Sequence, residues 1–113
     1  MHELSLCRSI YGIVERAAEG RPVDVIHLQV GRLRQVVPDT LRHCWDLVAE
    51  GTPLAGSALA VESMPAIVSC GRCSEQSSLT EELIVLCAHC GSTDVRVVGG
   101  EEFLLTSLDL VSV

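Results

Sequence analysis

Four of the six cysteines fall in two pairs, Cys70 and Cys73 in "CGRC" and Cys87 and Cys90 in "CAHC", so the pattern is C-x2-C-x13-C-x2-C. Two thiolates separated by two residues grip one cation from a single tight turn. A second such knuckle completes a tetrahedron, the arrangement that zinc takes without strain. Four thiolates also fill the coordination sphere and leave no position for a reacting water, so the expected site is structural. A rubredoxin-type iron centre uses the same ligands and differs in being coloured. Disulfides are the remaining use of paired cysteines, and they belong to oxidising compartments. Cys7 and Cys44 stand apart from the pairs, each on the apolar stripe of an expected helix, and read as small buried hydrophobes.

A second group of donors opens the chain as "MHELSLC". Met1 offers an amine nitrogen and His2 an imidazole. The peptide nitrogens of His2 and Glu3 become ligands when a strongly binding metal displaces their protons. Nitrogen donors packed this closely favour square-planar nickel(II) or copper(II). The first N–H groups of a helix have no intrahelical partners, so giving them to a metal breaks no helical bond. The positive end of the helix dipole opposes a cation there, and carboxylates such as Glu3 offset it. Asp39, also at an expected helix start, adds negative charge if the two helix starts come together. Taken alone, a histidine at position 2 and a glutamate at position 3 equally describe an ordinary helix start. His27, His43 and His89 read as surface or half-buried side chains, with a supporting or alternative ligand role for His89 as the second reading.

The elements that must position these groups follow from periodicity. Residues 4–19 place Cys7, Ile10, Tyr11, Val14, Ala17 and Ala18 on one helical face, and Gly20 and Pro22 stop the helix. Residues 23–31 alternate as a strand, with Ile26, Leu28 and Val30 on one side. Pro38 opens a second helix with Leu41, Cys44, Trp45 and Val48 inward, ended by Gly51 and Pro53. Residues 57–63 form a second strand. Residues 103–113 form a last one, alternating through Leu104, Thr106, Leu108 and Leu110. Between them lies the cysteine segment, expected as a hairpin that leaves from Ser74, turns at 80–82 and returns through Leu83, Ile84, Val85 and Leu86. Gly91 supplies a left-handed turn after the second knuckle.

The expected fold is α+β. A strand–helix–strand unit should form a right-handed parallel crossover. The last strand joins it to give a small three-stranded mixed sheet with two helices over one face. A zinc-ribbon-like domain is inserted at residues 66–98, and residues 1–65 and 99–113 make up the main domain. Only Tyr11, Trp45 and Phe103 are aromatic, so Leu, Val, Ile and Ala must build the core.

The quoted pieces together resemble the HypA/HybF family of nickel metallochaperones, which serve [NiFe]-hydrogenase maturation. They are the Met-His-Glu-Leu-Ser start, "VGRLRQVVPDTL", "EGTPLAGSAL", the paired knuckles and "GGEEFLLTSLDL". The likeness runs over essentially the whole chain. It implies a nickel-binding α/β domain in which Met1, His2 and Glu3 hold transient Ni(II), and structural Zn(II) on Cys70, Cys73, Cys87 and Cys90. Asp39 matches an acidic position that in some members lies beside the nickel. The implied partners are the nickel-binding GTPase HypB and the precursor of the hydrogenase large subunit; some relatives also serve urease. Many members carry proline after the first cysteine of a knuckle, where this chain has Gly71 and Ala88. Arg32 and Arg34 stand where relatives often have smaller or polar residues.

Several function classes are disfavoured. Net charge is 8 − 15 = −7, which gives no electrostatic footprint for nucleic acid or an anionic membrane. No apolar run reaches membrane-spanning length, and the start lacks the basic and apolar regions of a secretion signal, so the expected location is cytoplasmic. There is no GxxxxGK[ST] loop and no nucleophile with an identifiable base, which points to a metal carrier rather than an enzyme. The competing reading, from the knuckles alone, is a zinc-ribbon interaction module without nickel function.

Overall fold

A computed structural model describes residues 2–112. Helix α1 spans His2–Ala18 and buries Cys7, Ile10, Val14 and Ala18, a stripe at helical spacing. Ala17, expected on the same face, is exposed. Strand β1 spans Val23–Gly31 and alternates with Ile26, Leu28 and Val30 inward. A 3-10 turn at Arg32–Arg34 leads to α2, Pro38–Ala49, which has proline in its first turn and buries Leu41, Trp45 and Ala49. Strands β2 (Ala58–Met64), β3 (Ile67–Cys70), β4 (Gln76–Ser78), β5 (Val95–Gly99) and β6 (Phe103–Leu110) complete the order.

The chain divides into two compact units. The first takes the described residues of Met1–Gln29, Val36–Glu62 and Leu104–Val113; the second takes Val30–Gln35 and Ser63–Phe103. In the first unit β1 lies centrally in the sheet order β2-β1-β6. The β1–β6 pairing is antiparallel. Thr106 Oγ1 donates to the His27 carbonyl and the Val111 N–H to the Pro22 carbonyl, so β6 numbers rise as β1 numbers fall. Leu104 and Thr106 are exposed, whereas Leu108 and Leu110 are half-buried, so the alternation expected for the last strand holds only in its second half.

The two helices of this unit pack on each other in parallel register. Cys7 Sγ–H donates to the Leu41 carbonyl at 3.4 Å, and the Tyr11 and Trp45 rings stand 6.3 Å apart. Both contacts join residues separated by 34 in the chain, 41 − 7 and 45 − 11. One turn forward on α1 is thus one turn forward on α2, and both helices start at the same end. The buried indole of Trp45 is satisfied by Ser57: Nε1–H donates to Oγ at 3.1 Å, and that hydroxyl donates to the Leu54 carbonyl at 2.6 Å.

The second unit is a three-stranded antiparallel sheet in the order β4-β3-β5. A bulge at Val98 interrupts the β3–β5 register between Ile67 and Val68. Its small core of Ala66, Val68 and Leu79 is covered by Leu33, Leu83, Val95 and Val97. The expected hairpin is corrected in one half. β4 pairs with β3, and Leu83, Ile84, Val85 and Leu86 follow the turn at 81–82 as irregular chain with a bend at Leu86 rather than as a returning strand, with Ile84 and Val85 about half exposed. An apolar run alone does not separate a strand from irregular chain that buries only its first residue.

Two glycines fix the 3-10 turn against the β5–β6 connection. Gly31 sits so close to Gly100 that a β-carbon there would lie 2.0 Å from the Gly100 carbonyl oxygen. Gly100 itself has φ +109, and a β-carbon on it would approach Ala66 Cα at 2.7 Å. Leu33 N–H donates to Gly100 O at 2.8 Å and Gly31 N–H to Glu102 O at 2.7 Å. Arg34 Nε donates to the Glu101 carbonyl at 2.7 Å, and Arg32 reaches the Glu81 carbonyl and carboxylate at 3.4 and 3.7 Å. Both arginines of "GRLRQ" therefore have intramolecular partners.

Candidate metal centre

The four paired cysteines converge in the second unit. Their sulfurs all lie within 4.8 Å of one another, with Cys70–Cys90 and Cys73–Cys87 each at 3.6 Å. A tetrahedron with Zn–S bonds of about 2.3 Å has edges of about 3.8 Å, so the cluster has the dimensions of a tetrathiolate zinc site.

The two knuckles repeat one backbone plan. Cys70 N–H donates to the Glu75 carbonyl and Cys87 N–H to the Ser92 carbonyl, both at 2.9 Å. Ser74 and Gly91, each four residues after the first cysteine, return an N–H to that cysteine's carbonyl at 3.1 and 2.9 Å. Both adopt the left-handed conformation, φ 64 at Ser74 and φ 75 at Gly91. Gly91 is the residue expected to do so; Ser74 does it with a side chain, at a steric cost that glycine avoids. Gly71 N–H donates to the Asp94 carbonyl at 2.8 Å. A proline in that place has no N–H to give, so glycine here carries a contact of its own.

Backbone amides point at the sulfurs. Arg72 N–H and Cys73 N–H reach Cys70 Sγ at 3.3 and 3.4 Å, and His89 N–H reaches Cys87 Sγ at 3.4 Å. Without a cation, these donors divide the quartet. The Cys73 and Arg72 amides hold the Cys70 thiol below its ordinary value. The Cys90 amide, with that of His89, brings Cys87 down to about 6. The Glu75 amide favours the Cys73 thiolate, but burial and the neighbouring sulfurs push that thiol up to about 12. Cys90 is likewise raised: the Ser92 amide lowers it, and burial with the Cys70 and Cys87 sulfurs outweighs that effect. Two of the four thiols are thus lowered and two raised, so a cation that takes all four sulfurs as thiolates must displace protons.

The other candidates fall elsewhere. His89 Nε2 lies 3.3 Å from the Gln76 carbonyl and outside the sulfur cluster. His27 pairs with Asp109 across β1 and β6 at 2.9 Å, and His43 is exposed. Cys7 is fully buried as expected, whereas Cys44 is partly exposed. Glu3 is half-buried in the first turn of α1. Asp39 is in the first turn of α2, its carboxylate 3.1 Å from Arg42 Nη1. The expected nickel ligands at Met1 and the His2 side chain lie outside the described residues. Sequence reasoning missed the amide donors and the role of Ser74. The amides carry no side-chain signal, and only the repeat of the knuckle plan reveals Ser74.

Residues 1–110 match the model of the family described as "HypA: Hydrogenase/urease nickel incorporation, metallochaperone". The chain belongs to the HypA family. Among HypA relatives, a hydrogenase maturation factor of Chloroflexus aurantiacus is 38% identical over 112 residues, spanning 96% of this chain and 98% of its own. One from a Nostoc species is 33% identical over 113 residues, covering 100% and 98%. The solution structure of the nickel metallochaperone HypA from Helicobacter pylori aligns over 99% of both chains with a TM-score of 0.67 at 19% identity. A second HypA solution structure aligns with a TM-score of 0.70, also at 19% identity, over 98% and 97%. The resemblance carried by the Met-His-Glu start and the paired knuckles is therefore a family membership. HypA proteins are metallochaperones, in agreement with the reading of the chain as a carrier rather than an enzyme. No helix among the described residues is long and apolar enough to cross a membrane.

Proposed function

We propose that this protein binds Ni(II) at its amino terminus and delivers it in the cytoplasm to the precursor of a [NiFe]-hydrogenase large subunit, with the nickel-binding GTPase HypB as partner. Family membership over residues 1–110 carries the reading. The Met1 amine, the His2 imidazole and the main-chain nitrogens of His2 and Glu3 are the proposed donors. Zn(II) on Cys70, Cys73, Cys87 and Cys90 has a structural role. Residues 1–65 and 99–113 handle nickel, and residues 66–98 hold zinc.

The first unit supports this assignment physically. Helix α1 starts at His2, and the first N–H groups of a helix have no intrahelical acceptor, so a metal that displaces their protons breaks no helical bond. The parallel register of α1 and α2 brings both helix starts to one end. Two positive dipole ends then face an incoming cation. Glu3 and Asp39 lie in the first turns of those same helices and offset them. Asp39 shares its charge with Arg42, which tempers that contribution.

Titration of nickel into untagged, zinc-loaded protein tests the proposal. It predicts one high-affinity site with a square-planar absorption band, lost in His2→Ala and in protein carrying an N-terminal extension. Nickel binding that is unchanged by both alterations refutes the N-terminal site. It would leave a zinc-ribbon module as the better description.

A further inference from the structure

Cys7 and Cys44 are the cysteines that the metal centre does not use, and the first unit brings them together. Cys7 is fully buried on α1, with its thiol hydrogen donated to the Leu41 carbonyl at 3.4 Å. Cys44 follows Leu41 by three residues on α2 and is partly exposed. In an α-helix the β-carbon of residue i+3 lies about 4 Å from the carbonyl oxygen of residue i. The Cys7 sulfur therefore lies within about 8 Å of the Cys44 β-carbon, at the face where α1 and α2 meet. The Tyr11–Trp45 ring contact holds the helices in this register one turn further on. The two thiols also sense each other: a charge on Cys44 disfavours one on Cys7.

We propose that Cys7 and Cys44 form an oxidisable dithiol that hydrogen peroxide converts to a disulfide, stapling α1 to α2. Their unequal accessibility sets the order of events. Burial first, then Cys44 and Glu3, pushes the Cys7 thiol up to about 11, so Cys7 is a poor first reactant. The Cys44 sulfur, as thiolate, attacks one peroxide oxygen; the O–O bond breaks, the other oxygen leaves as water, and Cys44 becomes a sulfenic acid. The Cys7 sulfur then attacks the Cys44 sulfur, the S–O bond breaks, and a second water leaves with the Cys7 proton. In total two thiols and one peroxide give one disulfide and two waters. A disulfide places its two β-carbons about 3.5–4.5 Å apart, so α1 and α2 must close on each other at this face while rotation about χ1 turns the two sulfurs together. This device does not depend on nickel binding.

The test is peroxide treatment of untagged, zinc-loaded protein under anaerobic work-up, followed by thiol counting, a zinc assay and peptide mapping. The proposal predicts loss of two thiols, an intact mass lower by two hydrogens, zinc retained and a cross-linked peptide joining positions 7 and 44. Dithiothreitol reverses all of these changes. Cys44→Ser should leave Cys7 reduced. Cys7→Ala should leave Cys44 as sulfenic or sulfinic acid or as an intermolecular disulfide. If Cys7→Ala does not fold, the wild-type peptide map still decides. The proposal is overturned if wild-type Cys44 goes to sulfinic acid with Cys7 still reduced. Oxidation only at the four zinc-site cysteines, or no loss of thiols, overturns it equally.

Discussion

Gly31→Ala isolates how the second unit is held together. At Gly31 the backbone has φ −70 and ψ 144, a conformation open to any residue. Only the neighbourhood forbids a side chain. A β-carbon would lie 2.0 Å from Gly100 O, 2.1 Å from Gly100 C and 2.6 Å from Glu101 N, where real contacts stay above 3.0 Å. The Gly100 peptide must therefore retreat by at least 3.0 − 2.0 = 1.0 Å. That shift stretches the 2.8 Å bond from Leu33 N–H and disturbs the 2.7 Å bond from Gly31 N–H. Each lost bond costs about 1 kcal/mol net, and overpacking adds about 1–3 kcal/mol, for a total of about 3–5 kcal/mol. Leu33 also loses its place over the Ala66, Val68 and Leu79 core. Gly12→Ala is the control: it is mid-helix, its nearest neighbour would be the flexible end of Arg16 at 3.7 Å, and it should gain about 0.5–1 kcal/mol. Denaturant titration of zinc-loaded protein, followed by circular dichroism and by zinc release to a chromophoric chelator, resolves the units separately. A Gly31→Ala cost below about 1 kcal/mol in the zinc-release transition would refute the interlock.

Other expectations follow from single contacts. Ser74→Gly should stabilise the zinc unit and Gly91→Ala destabilise it, each by about 1 kcal/mol in the same zinc-release assay, because both positions are left-handed. Ser57→Ala removes the acceptor of the buried Trp45 indole and should cost about 1–3 kcal/mol; the sole tryptophan reports the change through its fluorescence in denaturant melts. The Cys7 thiol is raised from 9.0 to about 11, so its contribution is complete below pH 9 and is lost as pH rises to 11. Stability of the wild type should therefore fall by up to about 3 kcal/mol more than that of Cys7→Ala across that window, in melts run under reducing conditions. Cys87→Ser should reduce bound zinc well below one per chain by elemental analysis, since three thiolates and a hydroxyl no longer match the site.

The sequence by itself determined the elements with strong periodicity and the ligands with fixed spacing. The stripe Cys7, Ile10, Val14 and the alternation Ile26, Leu28, Val30 are local patterns, and local patterns set helix and strand. The two C-x2-C pairs announced a metal site because two-residue spacing has few other uses. Tertiary structure alone decided three further matters. Leu83, Ile84, Val85 and Leu86 look like a strand, yet the arm expected to pair with them, β4, pairs with β3 instead, and of the four only Leu83 packs on the Ala66, Val68 and Leu79 core. Val30–Gln35 joins the second unit because Gly31 and Leu33 meet Gly100 and the Ala66 core, contacts between residues far apart in the chain. The parallel register of α1 and α2 rests on pairs separated by 34 residues. No local pattern encodes such a pairing, because the contacts that set it join residues far apart in the chain.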